Sequence, residues 1–159
     1  MNDVITWFAT GFGLGQSPVI PGTVGALPGI ALAWLMLRRS RRVQLFIAAG
    51  LILLAVPLCH IASYNLGGED DPRIVADEFL TFPAAVAGQA VARQPLVLAG
   101  TFLTSRVLDG LKPPLAAQAE NVPGGLGIVL DDVVANLYCW LLLGGIFAAY
   151  RCWRRIKGW

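Results

Sequence analysis

A chain of 159 residues has room for one domain, expected to span residues 1–159, and not for two. It is 56% hydrophobic and only 14% charged, with a mean hydropathy of +0.64, whereas soluble domains carry roughly 25% charged residues. The composition argues against a polar-surfaced soluble protein and for an integral membrane protein with no nucleic-acid partner.

The first residues, MNDVITWF, have no basic region and no apolar stretch before a small-residue cleavage site, so a signal peptide is not expected. Residues 9–29 alternate glycine with small and apolar residues and include three prolines. This stretch reads either as a loop whose bare N–H groups approach an anion, or as a glycine-rich packing segment of a membrane bundle. Thr23 is expected to cap the helix that follows, which would put Gly22, Thr23 and a helix N-terminus at one place. An apolar helix then covers 24–37, about 21 Å long and short of the ~30 Å hydrocarbon core. Arg38-Arg39-Ser40-Arg41-Arg42 makes a basic turn, and a second helix runs over 43–66 with Pro57 as a possible kink. His60, the only histidine, sits one turn from Tyr64 where the apolar run ends, a place that suits either a structural or a site-proximal role.

Gly67-Gly68 closes this helix, and Glu69-Asp70-Asp71-Pro72 reads as a solvated turn. Asp77 and Glu78 follow between apolar residues. They either pair with a cation or simply complement a helix N-terminus. Pro83, Arg93 and Pro95 divide the next stretch into two short helices, near 83–92 and 96–108. Residues 105–132 form a loop carrying Arg106, Asp109, Lys112, Gly124-Gly125-x-Gly127 and Asp131-Asp132. The last helix, about 127–154, contains the one clean uncharged span, Val133–Tyr150, and the tail is a basic, aromatic interfacial anchor. The three cysteines have no metal spacing and read as small hydrophobes. The expected architecture is therefore all-α and polytopic, with about five or six helices, several of them short or partly inserted, around a long C-terminal helix.

If these helices alternate across the bilayer, all ten acids fall on one face with Arg73, Arg106 and Lys112. The cations at 38, 39, 41, 42, 93, 151, 154, 155 and 157 fall on the other. The positive-inside rule would put the second face in the cytoplasm. On the acidic rim Asp77, Glu78, Asp109, Asp131 and Asp132 offer hard oxygen ligands suited to Mg²⁺. Arg106 and Lys112 can neutralise phosphate, and Gly124–Gly127 offers backbone donors at a helix start. The pattern points to metal-assisted phosphoryl transfer. A Cys-x5-Arg phosphatase is excluded, because positions 65, 145 and 158 are Asn, Gly and Gly. A mechanism with two histidines is excluded by the single His60.

Four stretches carry a family resemblance: Gly13 to Gly25, Ile74-Val-Ala-Asp-Glu-Phe79, Arg106-Val-Leu-Asp-Gly-Leu-Lys-Pro113 and Asn121 to Ala135. In this order they resemble bacterial phosphatidylglycerophosphatase A, over about residues 7–150. The resemblance implies a Mg²⁺-dependent, multi-pass, all-helical enzyme of the bacterial inner membrane. That enzyme acts on a phospholipid substrate in the bilayer, hydrolysing phosphatidylglycerophosphate to phosphatidylglycerol and phosphate. Carried over by motif, Asp77, Glu78, Asp109, Asp131 and Asp132 would hold metal. Asp131, Asp132, Asp109 and, by position, His60 would be catalytic. Arg106, Lys112, Gly22, Thr23, Gly124, Gly125 and Gly127 would contact phosphate or substrate. The chain departs from the family pattern at Asn65 (often an acid), Ser105 (often aromatic), and Thr81 and Asn136 (often glycine). Rival readings are a phosphatase for another lipid phosphate such as phosphatidate, and a non-catalytic or cation-translocating membrane subunit. The substrate's cytoplasmic origin conflicts with an outward-facing rim unless some helices fail to span. Nothing in the sequence indicates an oligomeric state.

Overall fold

Every regular element among the described residues is helical, as expected. The structure, a computed structural model, describes residues 2–68, 71–119 and 122–157. Glu69, Asp70, Glu120, Asn121 and the last two residues lie outside these, so the expected turn at 69–70 and the start of the Asn121 motif are not described. In chain order the helices are α1 (Asn2–Ala9), α2 (Pro21–Gly25), α3 (Leu27–Leu37), α4 (Arg41–Leu66), α5 (Ala76–Val86), α6 (Pro95–Leu111), α7 (Pro114–Ala119) and α8 (Gly125–Ile156). Short 3-10 turns cover Leu14–Gln16 and Ala90–Arg93. Among the described residues eight segments stand where five helices were placed: α1 and α7 are additional, the latter inside the expected loop over 105–132, and the single helix expected over 24–37 is divided at Ala26 into α2 and α3.

The main correction concerns the middle of the chain. The helix expected at 83–92 is found at Ala76–Val86, and Pro83 lies inside it. A proline interior to a helix leaves the carbonyl four residues earlier without its amide partner. That carbonyl is Phe79 O, and Gly29 of α3 comes so close that a β-carbon there would stand 2.9 Å from it. The neighbouring helix covers the gap. Nearly all of α5 is buried, and it packs on α3, α4, α6 and α8. The bundle is therefore organised around this 11-residue helix rather than around the long C-terminal one.

Two apolar clusters lie along α5. Val75, Phe79 and Leu80 meet Ala55, Cys59 and Val129 at the acidic end. Phe82 and Val86 meet Met36, Leu37, Phe102 and Leu143 at the basic end. Arg93 Nε donates to Leu37 O beside the basic turn, while the carboxylates of α5, α6 and α8 gather around Arg106 at the other end.

Among the described residues two helices, not one, are long and apolar enough to cross a membrane: α4 with 26 residues and α8 with 32. Only 22% and 39% of their most apolar windows are buried within the protein. Most of each window faces outward from the protein. Pro57 lies within a continuous α4, which ends at Gly67 in the left-handed conformation, φ 81°.

Candidate active site

Three helices bring the predicted acids together. Asp77 and Glu78 open α5, Asp131 and Asp132 occupy the second turn of α8, and Arg106 and Asp109 lie near the end of α6. The two acid pairs are built alike. Asp77 Oδ1 accepts the Glu78 N–H at 2.9 Å, and Asp131 Oδ1 accepts the Asp132 N–H at 2.9 Å. In each pair the second acid reaches Arg106, at 2.7 Å from Nη1 for Glu78 Oε2 and 3.3 Å from Nη2 for Asp132 Oδ1. Asp109 stands 3.7 Å from Nη1. Lys112 Nζ faces Asp131 Oδ2 at 3.6 Å. Arg106 is thus the hub, with only 8% of its side chain exposed.

The charge balance is unfavourable as it stands. Five carboxylates face one guanidinium and one ammonium, and burial in a medium of low polarity disfavours ionised acids. Burial pushes Asp77 well above the ordinary carboxylate range, reinforced by Glu78. Burial also pushes Glu78 up to about 7, although Arg106 opposes the shift. Glu78 Oε2 has no hydrogen bond of good geometry in spite of its close ion pair. Hard oxygen donors carrying excess buried negative charge fit a divalent cation in their chemistry. Among the described residues, however, no three acids are already grouped to ligate one ion, because Arg106 occupies the space between Glu78 and Asp132.

The remaining predicted residues divide. Gly22 belongs to the site, since a β-carbon there would stand 2.5 Å from Glu78 Oε1. It is brought there by Ile20, a β-branched residue at φ 46° and ψ 60°, which serves as the N-cap of α2. Thr23 lies inside α2, so its expected role as a cap is corrected. The other close glycines of this stretch favour the packing reading: Gly15 abuts Arg73 O, Gly25 abuts Val75, and Gly29 abuts Phe79. Lys112 also has a strained backbone, φ 44° before Pro113, which turns the chain out of α6 towards α7.

The glycines at the start of α8 serve close packing. A β-carbon on Gly125 would lie 2.5 Å from Val56 O and 2.7 Å from His60 N, so α8 and α4 touch backbone to backbone. The Gly125 N–H points to His60 Nδ1 at 3.5 Å, and the Gly127 N–H is taken by Gly124 O. These two donors therefore have partners within the protein. His60 steadies this helix junction and, with Tyr64 and Gly124, lines a shallow cavity. Asn65 Nδ2 donates to Thr6 Oγ1 at 3.0 Å and ties α4 to α1.

One feature the sequence reading did not assemble lies directly beneath the charges. Ser105 Oγ donates to Asn136 Oδ1 at 2.6 Å, Asn136 Nδ2 donates to Thr81 Oγ1 at 3.0 Å, and Thr81 Oγ1 donates to Asp77 O at 2.6 Å. Arg106 Nη2 adds a longer contact to Ser105 Oγ at 3.5 Å. All three neutral side chains are fully buried. Thr81 lies one turn after Asp77, Asn136 one turn after Asp132, and Ser105 beside Arg106, so the chain links the three ion-bearing helices in register. Asn136→Leu strands the Ser105 hydroxyl and is expected to destabilise the protein by about 1–3 kcal/mol. Turnover should fall roughly tenfold through misalignment. A Ser105→Ala/Asn136→Ala cycle read by thermal unfolding should show coupling above about 0.5 kcal/mol; strict additivity would refute the linkage.

Comparison with known proteins follows the same residues. A family model described as Phosphatidylglycerophosphatase A matches residues 7–147. The chain is 36% identical over 130 residues to phosphatidylglycerophosphatase A of Escherichia coli, covering 81% of this chain and 75% of that one. It is 33% identical to phosphatidylglycerophosphatase A of Haemophilus influenzae, covering 87% and 85%. It is 34% identical to a protein of Bacteroides thetaiotaomicron named, provisionally, a phosphatidylinositol-3-phosphatase, covering 84% and 87%. No solved structure matches.

Proposed function

Because the chain belongs to the phosphatidylglycerophosphatase A family, we propose that it is a membrane-embedded phosphatase that hydrolyses phosphatidylglycerophosphate to phosphatidylglycerol and inorganic phosphate. The observation that carries this reading is the convergence of acids from three helices on Arg106, with Lys112 at their edge. The reaction breaks the P–O bond to the glycerol and delivers water oxygen to phosphorus. Lys112, with 37% of its side chain exposed, is the cation that can reach an incoming phosphate. Arg106, buried among carboxylates, holds them at fixed spacing. Glu78, whose Oε1 lies beside Gly22, belongs with the acids that would hold the metal.

Asp77, Glu78, Asp131 and Asp132, with Asp109 close by, are the residues that would hold Mg²⁺. When bound, the ion would neutralise phosphate charge and lower the pKa of water. The apolar outward flanks of α4 and α8 support a multi-pass seat in the bacterial inner membrane, where the acyl chains of the substrate can lie beside them.

The name of the Bacteroides relative favours a second reading, a phosphatase for another lipid phosphomonoester. Phosphate release by purified protein from phosphatidylglycerophosphate, phosphatidate and phosphatidylinositol-3-phosphate, each with Mg²⁺ or EDTA, separates the readings. We expect phosphatidylglycerophosphate to be preferred and EDTA to abolish release. Preference for either other lipid shifts the assignment, and release unaffected by EDTA removes the metal from it.

The raised Glu78 pKa carries a further expectation. An acid whose folded pKa lies above its unfolded value leaves the folded state binding more protons, so stability is lost as pH rises through the folded pKa. Without divalent cation, thermal stability should fall between pH 4.5 and about 7. Saturating Mg²⁺ should flatten that slope. A metal-independent slope would argue against Glu78 as a ligand.

A further inference from the structure

At the end of the molecule opposite the acids, α3 and α4 are joined by a short turn, and each packs more extensively on α5 than on the other. Between them runs a cavity of about 560 Å³ lined by Leu32, Leu35, Met36, Ile47 and Leu51, with Arg38 and Arg39 at its mouth. Leu32, Leu35 and Met36 follow helical spacing on one face of α3, and Ile47 and Leu51 do so on α4. From Leu32 to Arg39 the wall is about 10 Å long, enough for part of one acyl chain. Arg38 also borders a second cavity of about 330 Å³ on the far side of α3, shared with Trp34, Leu37 and Arg93.

The mouth is built on a fixed platform. Gln44, 4% exposed, donates from Nε2 to Arg39 O at 2.8 Å and accepts the Gly88 N–H at Oε1 at 2.8 Å. Arg93 Nε donates to Leu37 O at 3.0 Å. These bonds satisfy the carbonyls at the end of α3 without using the guanidinium groups of Arg38 and Arg39. Arg38 lies over the Trp34 ring at 5.4 Å, and among the described residues neither arginine makes an ion pair. A groove with apolar walls and two uncompensated cations at its rim matches a lipid that carries negative charge at its headgroup.

We propose that this groove is a binding site for an anionic glycerophospholipid of the surrounding bilayer, separate from the active site. Its acyl chain would lie between α3 and α4, and its phosphate would rest between Arg38 and Arg39. The site rests on the membrane seat proposed above but not on the catalytic reading.

The test is native mass spectrometry of the full-length protein released from mixed micelles holding equal amounts of phosphatidylserine and phosphatidylcholine with identical chains. Both are phosphodiesters, and only the first is anionic. The wild type should retain phosphatidylserine over phosphatidylcholine by at least about fivefold. Arg38→Gln/Arg39→Gln should abolish the preference. Arg154→Gln/Arg155→Gln, which removes charge from the same end of the protein but not from the groove, should keep it. Leu51→Trp, which fills the groove and leaves the arginines in place, should lower retention of both lipids. Equal retention of the two lipids by wild type, or preference that survives the Arg38/Arg39 double variant, would overturn the proposal. Because phosphate release is measured separately, a protein that fails this test can still be the proposed phosphatase, and the converse also holds.

Discussion

Asn in place of Asp132 is expected to lower turnover of phosphatidylglycerophosphate by about three orders of magnitude, the scale seen when one preorganised charged group is removed from a buried reaction centre. Asp132 is nearly buried, with 4% of its side chain exposed, and it faces Arg106 at 3.3 Å. The amide keeps the shape of the carboxylate but supplies no negative charge, either to the guanidinium or to a cation. Asp131→Asn should fall by a comparable factor, since that residue steadies the Asp132 amide and pairs with Lys112. The check is single-turnover phosphate release at saturating Mg²⁺, with circular dichroism to verify that both variants remain helical. A folded Asp132→Asn protein within tenfold of wild type would remove that residue from the reaction centre.

The second large effect is on stability. Arg106→Gln withdraws the guanidinium shared by Glu78, Asp109 and Asp132. Removing one partner from a buried ion pair costs about 3–5 kcal/mol, because the remaining charge is left uncompensated. We expect a loss of that size on thermal unfolding in detergent. Arg106→Lys should recover little of it, since one ammonium cannot reproduce the fork by which Nη1 and Nη2 address separate carboxylates. If Lys restores wild-type stability, the planar geometry is irrelevant and bulk charge suffices. If Gln is tolerated without change, the carboxylates are already protonated or bound to another cation.

Much of this site was legible in the sequence because its chemistry is carried by residue types that are costly at a membrane boundary. Asp77, Glu78, Asp109, Asp131 and Asp132 stood out against an apolar background, and Arg106 and Lys112 stood out beside them. What sequence could not supply was the partner across space. Pro83 marked a helix boundary by local rules, yet tertiary packing placed it inside α5, with Gly29 covering the carbonyl it leaves unbonded. Gly125 resembled an anion-binding turn, but its missing side chain admits the backbone of α4. Thr81, Ser105 and Asn136 were visible only as three separate departures from a family pattern. The structure joins them in one hydrogen-bonded chain, a relation that no spacing along the sequence encodes.

The outward apolar flanks of α4 and α8 have a kinetic consequence. In the membrane seat proposed above, the catalyst would meet its substrate by lateral diffusion within a sheet of lipid, not by collision from bulk water. Its velocity should then follow the mole fraction of substrate in the micelle or bilayer. Adding inert detergent at constant total substrate should slow the reaction, whereas diluting the whole suspension with buffer should leave turnover per enzyme nearly unchanged.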